Sequence, residues 1–157
     1  MRRGKRVFLL GVAAVLTVPV VYILTHPGAG EPLTQERLAA AEALWKEKGP
    51  KSYVLDVDVR GLHHRIEVKD GAVVSMTTDG KAADERFREY WSVEGMFQQL
   101  SEELSNLKHP ETFGVTDPSE VTLLAKFDPV SGYPARFLRH VQSQTRSIEW
   151  TAKLEAP

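Results

Sequence analysis

The chain has 157 residues, 42% of them hydrophobic and 26% charged, with a formal net charge of −1. That size fits one domain with a short appendage, and that composition excludes both an intrinsically disordered chain and a polytopic membrane protein. The small net charge conceals an uneven distribution. Residues 1–30 hold four cations, Arg2, Arg3, Lys5 and Arg6, and no acid, so the remainder is acidic by five charges. An acidic body without a basic stripe repels phosphate backbones, so no nucleic-acid partner is expected. The chain has no cysteine. This excludes disulfides, thiolate metal sites, thiol nucleophiles and lipid attachment through a lipobox cysteine.

In chain order, the first element is Val7 to Leu24, eighteen uncharged residues. As a helix they span about 27 Å, close to the hydrocarbon thickness of a bilayer. The four preceding cations favour the cytoplasmic side, which places the rest of the chain outside. Pro19 is tolerated within a membrane helix, and Tyr22 stands where an interfacial aromatic belongs. The sequence therefore predicts a single-pass anchor in the cytoplasmic (inner) membrane, N-terminus inside and C-terminal domain outside. The alternative is a secreted protein whose signal is cleaved near residue 30, although no Ala-x-Ala pattern marks such a site. Residues 26–32 read as a short Pro/Gly linker between segment 1–30 and an extracytoplasmic domain, 31–157.

Leu33 to Lys48 has the apolar spacing of a helix, with Leu38, Ala41, Leu44 and Trp45 on one stripe, Thr34 as its cap and Gly49-Pro50 as its stop. Tyr53 to Arg60 alternates with period two. A turn at Gly61-Leu62 leads into a second strand carrying Ile66 and Val68, and that turn sets Asp58 opposite Arg65 and Arg60 opposite His63. Asp70-Gly71 marks a hairpin into Ala72 to Thr78; a two-residue turn would bury Val73, whereas a bulged one would bury Val74 and Met76. Lys81 to Trp91 has no clear period: Phe87, Tyr90 and Trp91 fit one face of a short helix or, in part, a strand. Ser92 then caps a helix to Lys108 with Met96, Phe97, Leu100, Leu104 and Leu107 on its apolar stripe. Three further strands follow at Glu120–Phe127, Ala135–Val141 and Ser147–Leu154, the first two joined by a loop rich in turn formers at 128–134. The predicted fold is α+β: an antiparallel sheet of about six strands with two helices on one face, in the order α-βββ-α-βββ, preceded by one transmembrane helix.

Four blocks carry a resemblance: Tyr53-Val-Leu-Asp-Val, Ile66-Glu-Val-Lys-Asp-Gly-Ala-Val-Val, Ser92-Val-Glu-Gly-Met-Phe-Gln-Gln-Leu and Phe127-Asp-Pro-Val-Ser-Gly-Tyr-Pro-Ala-Arg-Phe. Across roughly residues 36 to 155 the chain resembles an uncharacterised family of small bacterial cell-envelope proteins, many of them lipoproteins, known only as a domain of unknown function. The Asp-Pro-x-x-Gly-Tyr-Pro segment is the most specific element. Members often carry a cysteine pair and a lipobox, and this chain has neither. The resemblance implies an envelope location and no particular activity.

No constellation points to catalysis. Asp56 and Asp58 share a strand face, which suits a cation or an acid/base pair, but cross-strand cations make them an ordinary solvated face. His63 and His64 point to opposite sides of a strand and cannot readily share a metal. Ser105-x-x-Lys108 ends a helix and lacks companion motifs, and no nucleotide-binding, nucleophile-elbow or zincin signature occurs. No catalytic residue, metal ligand or cofactor is assigned. Tyr133, Trp91 and Tyr90 are the candidate binding residues: the aromatic run Phe87, Tyr90 and Trp91, with Phe97, could line a pocket or partner surface or simply pack the core, and a tyrosine held in the Gly132-Tyr133-Pro134 turn offers a recognition hydroxyl. The function expected is a membrane-anchored, non-enzymatic binding or structural module of the envelope, whose partners are the membrane and another envelope protein. An exported enzyme of unrecognised type and a protein inhibitor or chaperone-like partner are the alternatives.

Overall fold

The computed structural model describes residues 28, 30–145 and 147–156. The predicted anchor or signal lies outside these residues, and no helix among the described residues is long and apolar enough to cross a membrane. One antiparallel sheet of eight strands organises the domain: β1 (Glu31–Pro32), β2 (Tyr53–Val59), β3 (Leu62–Lys69), β4 (Ala72–Thr78), β5 (Lys81–Ala82), β6 (Val121–Phe127), β7 (Pro134–Val141) and β8 (Ile148–Glu155), in the spatial order β1-β6-β7-β8-β2-β3-β4-β5. Six of these are the long strands legible in the sequence. The other two are two-residue edge strands, too short to show a period, which raises the expected six to eight.

Two three-stranded meanders, β2-β3-β4 and β6-β7-β8, meet where β8 pairs with β2, Leu55 opposite Leu154 and Val59 opposite Trp150. A helix precedes each meander: α1 (Gln35–Lys48) and α2 (Val93–Asn106). Both start where the caps predict, since Thr34 Oγ1 accepts from Arg37 N at 3.2 Å and Ser92 Oγ accepts from Gly95 N at 3.0 Å. Leu38, Ala41 and Trp45 of α1 and Val93, Met96, Phe97 and Leu100 of α2 join the alternate residues Leu55, Val57, Ile66, Leu123, Phe137 and Trp150 of the sheet in one core. Glu94 ties three elements together: its carboxylate accepts from Trp45 Nε1 at 2.9 Å and from Tyr53 OH at 3.3 Å. The Tyr53 hydroxyl in turn accepts from Val93 N at 3.2 Å. Burial, with the Glu94 carboxylate beside it, pushes the Tyr53 phenol well above its ordinary value, against the opposing effect of the Val93 hydrogen bond.

The hairpins of the first meander correct the expected register. The turn after β2 is Arg60-Gly61, not Gly61-Leu62, with φ of 51° and 83°. Two positive φ values in a two-residue loop are what a type I′ turn requires, and its twist matches that of the flanking strands. The shift places Asp58 opposite His63 and Asp56 opposite Arg65. Asp70-Gly71 and Asp79-Gly80 repeat the same left-handed pair. After Asp70-Gly71 the two-residue turn comes first, Ala72 and Val73 pairing directly with Lys69 and Val68, and the ladder then shifts before Ser75 meets Glu67, so the bulged alternative is met at Met76 but not at Val74. That bulge leaves Val74 exposed, half-buries Val73 and returns Met76 to the core.

Residues 128–134 form a self-contained loop. Asp128 Oδ1 accepts from Val130 N at 3.0 Å, Ser131 N at 2.7 Å and Ser131 Oγ at 2.9 Å, while Asp128 N donates to Tyr133 O at 2.9 Å. This network presses Gly132, at φ 84°, onto α1: a Cβ there would overlap the Ala41 carbonyl oxygen and lie 3.0 Å from Trp45 N. Gly49 is required for a different reason. Its φ is −64°, but a Cβ would collide with the Trp45 ring.

These contacts separate two glycines that share a backbone conformation. Gly80, at φ 75°, has no atom within 4 Å of the position a methyl group would take, so Gly80→Ala should lower stability by only about 1–2 kcal/mol, the cost of the left-handed conformation. Gly132→Ala adds overpacking against α1 and should lower it by about 2–5 kcal/mol. Urea denaturation of the two variants checks the difference; equal losses would contradict the packing role of the loop.

Candidate functional site

Residues 81–91, between β4 and α2, are neither a single helix nor a full strand. After the short β5 come two 3₁₀ turns, Glu85–Phe87 and Glu89–Trp91. Such turns place side chains three apart on one side. The consequence is unequal burial within one aromatic run: Phe87 is 53% and Tyr90 48% exposed, whereas Trp91 is only 9% exposed.

Trp91 is the wall on which the region is built. Its indole stacks on His64 of β3 with centroids 5.5 Å apart and planes 18° apart. It meets Tyr90 edge to face at 5.0 Å and Trp150 of β8 edge to face at 6.4 Å. On one side of this wall lies a groove of about 580 Å³ with Met76, Ala83, Phe87, Tyr90, Trp91 and His64 among its lining residues. Its polar members are engaged: His64 Nδ1 is 2.9 Å from Thr78 Oγ1, and Asp84 accepts from Arg86 Nη2 at 2.6 Å. A surface of this kind takes up apolar groups and offers little for acid–base chemistry. Burial pulls the His64 imidazole below its ordinary value, with the Asp79 and Asp58 carboxylates opposing.

Of the three residues expected to bind, the structure brings two together. Tyr90 is exposed at the groove mouth and Trp91 forms its floor. Tyr133 stands apart in the loop at 128–134, half-buried against the core. Phe87, part of the same aromatic run, joins Tyr90 and Trp91, whereas Phe97 of that run is buried in the core. Met76 and His64 join the site without having been singled out as binding residues. For His64 the signal was recoverable, since it falls on the same face of β3 as Ile66 and Val68.

The acids on the opposite sheet face are bound up in pairs. Arg65 Nη1 donates to both Asp56 oxygens, at 2.9 and 2.7 Å, and His63 lies 3.2 Å from Asp56 and 3.2 Å from Asp58. His63 and His64 do occupy opposite faces. Among the described residues no group of three His, Asp or Glu side chains is arranged to hold a metal ion.

Two outcomes follow for the wall and its rim. Trp91→Ala should cost about 3–5 kcal/mol, while Phe87→Ser should stay within about 0.5 kcal/mol of the parent, as burial dictates. Because the His64 pKa is lowered on folding, its contribution is complete above about pH 6.5 and is lost as the pH falls through the lower folded value. Thermal melts across pH 5–8 should therefore show a loss of stability on acidification that is smaller in His64→Phe; an identical pH profile in that variant would refute it.

Residues 37–145 match a family of unknown function, DUF6174. No curated protein and no solved structure matches the chain. The matched span covers nearly all of α1, all of α2, the first meander and the loop at 128–134, so the lining residues of the groove lie within it, while Trp150 behind Trp91 lies beyond it. The chain belongs to DUF6174, a family of unknown function.

Proposed function

We propose that the protein is a membrane-tethered, extracytoplasmic binding module of the cell envelope that docks an apolar side chain of another envelope protein in the groove beside Trp91. The observation that carries the docking site is the exposure of Phe87 and Tyr90 over a floor made rigid by Trp91, His64 and Met76. Exposed rings on a buried aromatic base give large contact area at small conformational cost, the pattern of interface anchors. The tether is supported by the eighteen uncharged residues behind four cations. A non-catalytic role is supported by the pairing of Asp56 and Asp58 with Arg65 and His63, which leaves that carboxylate pair engaged.

Complementation of a deletion phenotype tests the reading. Phe87→Ser/Tyr90→Ser should yield a folded, membrane-located protein that fails to complement, whereas Asp56→Asn/Asp58→Asn should complement fully. The reverse result would replace the binding module with an exported enzyme. Alkaline phosphatase fused after Pro157 should be active; an inactive fusion would overturn the topology.

A further inference from the structure

On the membrane-tether reading above, on which this inference rests, the span ends at Leu24 and the first described residue is Gly28. Four residue steps reach at most about 14 Å, and one headgroup layer is roughly 5–8 Å thick, so Gly28 stands at most several ångströms above the headgroups. From there the chain is fastened to the domain. Glu31 and Pro32 pair with Ala125 and Leu124 of β6, and Leu33 N donates to Leu123 O at 2.9 Å. Gly30 lies so close to β6 that a Cβ there would be 2.5 Å from the Ala125 carbonyl. Arg37 of α1 holds the same stretch: Nη1 donates to Pro32 O at 2.7 Å, and Nη2 pairs with Glu31 at 2.9 Å. The point where the tether enters is thereby fixed at one corner of the sheet.

The direction of β1 decides which surface that corner brings to the bilayer. Because β1 is antiparallel to β6, the chain followed back from Pro32 to Gly28 runs toward Phe127, where the loop at 128–134 begins. That loop is stiffened by the hydrogen bonds to Asp128 Oδ1. It carries Val130, which at 72% is more exposed than any other large hydrophobic side chain among the described residues. Charges at this corner balance: Arg37 pairs with Glu31, Arg136 with Glu149, and Lys126 and Asp128 add one of each sign. Such a surface is repelled by neither zwitterionic nor anionic headgroups, and an isolated exposed valine suits their boundary with the acyl chains. The groove beside Trp91 lies at the other extreme. It borders β5, seven strand spacings from β1 and so on the order of 30 Å away, and its His64 and Thr78 pair at the end of β3 and β4 remote from that corner. We infer that the domain is held on the membrane in one orientation, with Val130 and the loop at 128–134 against the lipid headgroups and the docking groove turned away from the bilayer. The loop surface thus takes a lipid surface, and the groove is left for an extramembrane part of its partner.

The chain has no cysteine, so Val130→Cys and Lys81→Cys each place a single fluorophore, the second on exposed β5. Full-length protein is reconstituted into phosphatidylethanolamine/phosphatidylglycerol vesicles, labelled from outside with an impermeant maleimide, and quenched by lipids spin-labelled at the headgroup. With about 30 Å between the two ends and a headgroup layer of roughly 5–8 Å, position 130 should be quenched roughly two-fold or more above position 81. An insertion of about twelve Gly/Ser residues between Pro27 and Gly28 adds roughly 20 Å of flexible reach without touching the domain, and should bring position 130 down toward the level of position 81. Quenching at 130 no stronger than at 81, or unchanged by the insertion, would overturn the orientation while leaving the tether intact. A chain that does not float with the vesicles would overturn the tether reading and this inference with it. A discrete protein crosslink from position 130 in cells would give the loop to a protein partner and overturn the lipid contact.

Discussion

The pairing of β8 with β2 is the constraint on which the remaining architecture rests. Each meander alone is a three-stranded sheet with one helix, a marginal unit with a half-covered apolar face. Joined through six residue pairs from Val54–Glu155 to Val59–Trp150, they share one core beneath both helices. The register does more than close the sheet. It sets Trp150, already paired with Phe137 of β7 at 5.8 Å, opposite Val59, and the same indole meets Trp91 at 6.4 Å, so a residue of the last strand also buttresses Trp91. A slip of one residue would turn Trp150 to the charged face and remove that support.

Much of this was legible because the sequence is locally consistent. The caps Thr34 and Ser92, the alternation in Tyr53–Val59 and the Asp-Gly turns all agree with the structure, since each is governed by short-range hydrogen bonding or by side-chain period; in β6 the expected alternation is not matched by burial, because Val121 to Ala125 are all buried. The Arg60-Gly61 turn was misplaced by one residue because a left-handed arginine carries no sequence signal of its own; the strain is accepted so that Val59 and Leu62 can close a twisted hairpin. The bulge at Val73-Val74 was half visible: the direct register holds at Val73, and the bulged one returns Met76 but not Val74 to the core.

The candidate site was less legible, for a physical reason. Trp91, Tyr90 and Phe87 lie within five residues, but their burial is decided by partners remote in sequence: His64 on β3, Gln99 on α2 and Trp150 on β8. Two 3₁₀ turns impose no long period from which to separate the buried ring from the exposed ones. Glu103 illustrates the same limit. On its own helix it is one acid among several, and only the packing of α2 against β7 sets Arg139 2.6 Å from it. The Gly132-Tyr133-Pro134 segment shows the opposite case: a distinctive string whose distinctiveness is explained by an Asp128-centred loop clamped to α1, with the tyrosine half-buried in support.

What emerges is a scaffold whose two faces do different things. The outer face of β2, β3 and β8 neutralises its own charges across strands, while the helix-side end gathers aromatics around one buried indole. The central claim, that the exposed end of this aromatic cluster is where the protein meets its partner, is tested most directly by site-specific photocrosslinking in living cells. A photoreactive residue at position 87 should give a discrete crosslinked protein species, and the same residue at Lys153 on the charged face or at Val130 in the distant loop should give none. Crosslinks from position 153 or 130 with none from position 87 would contradict the account.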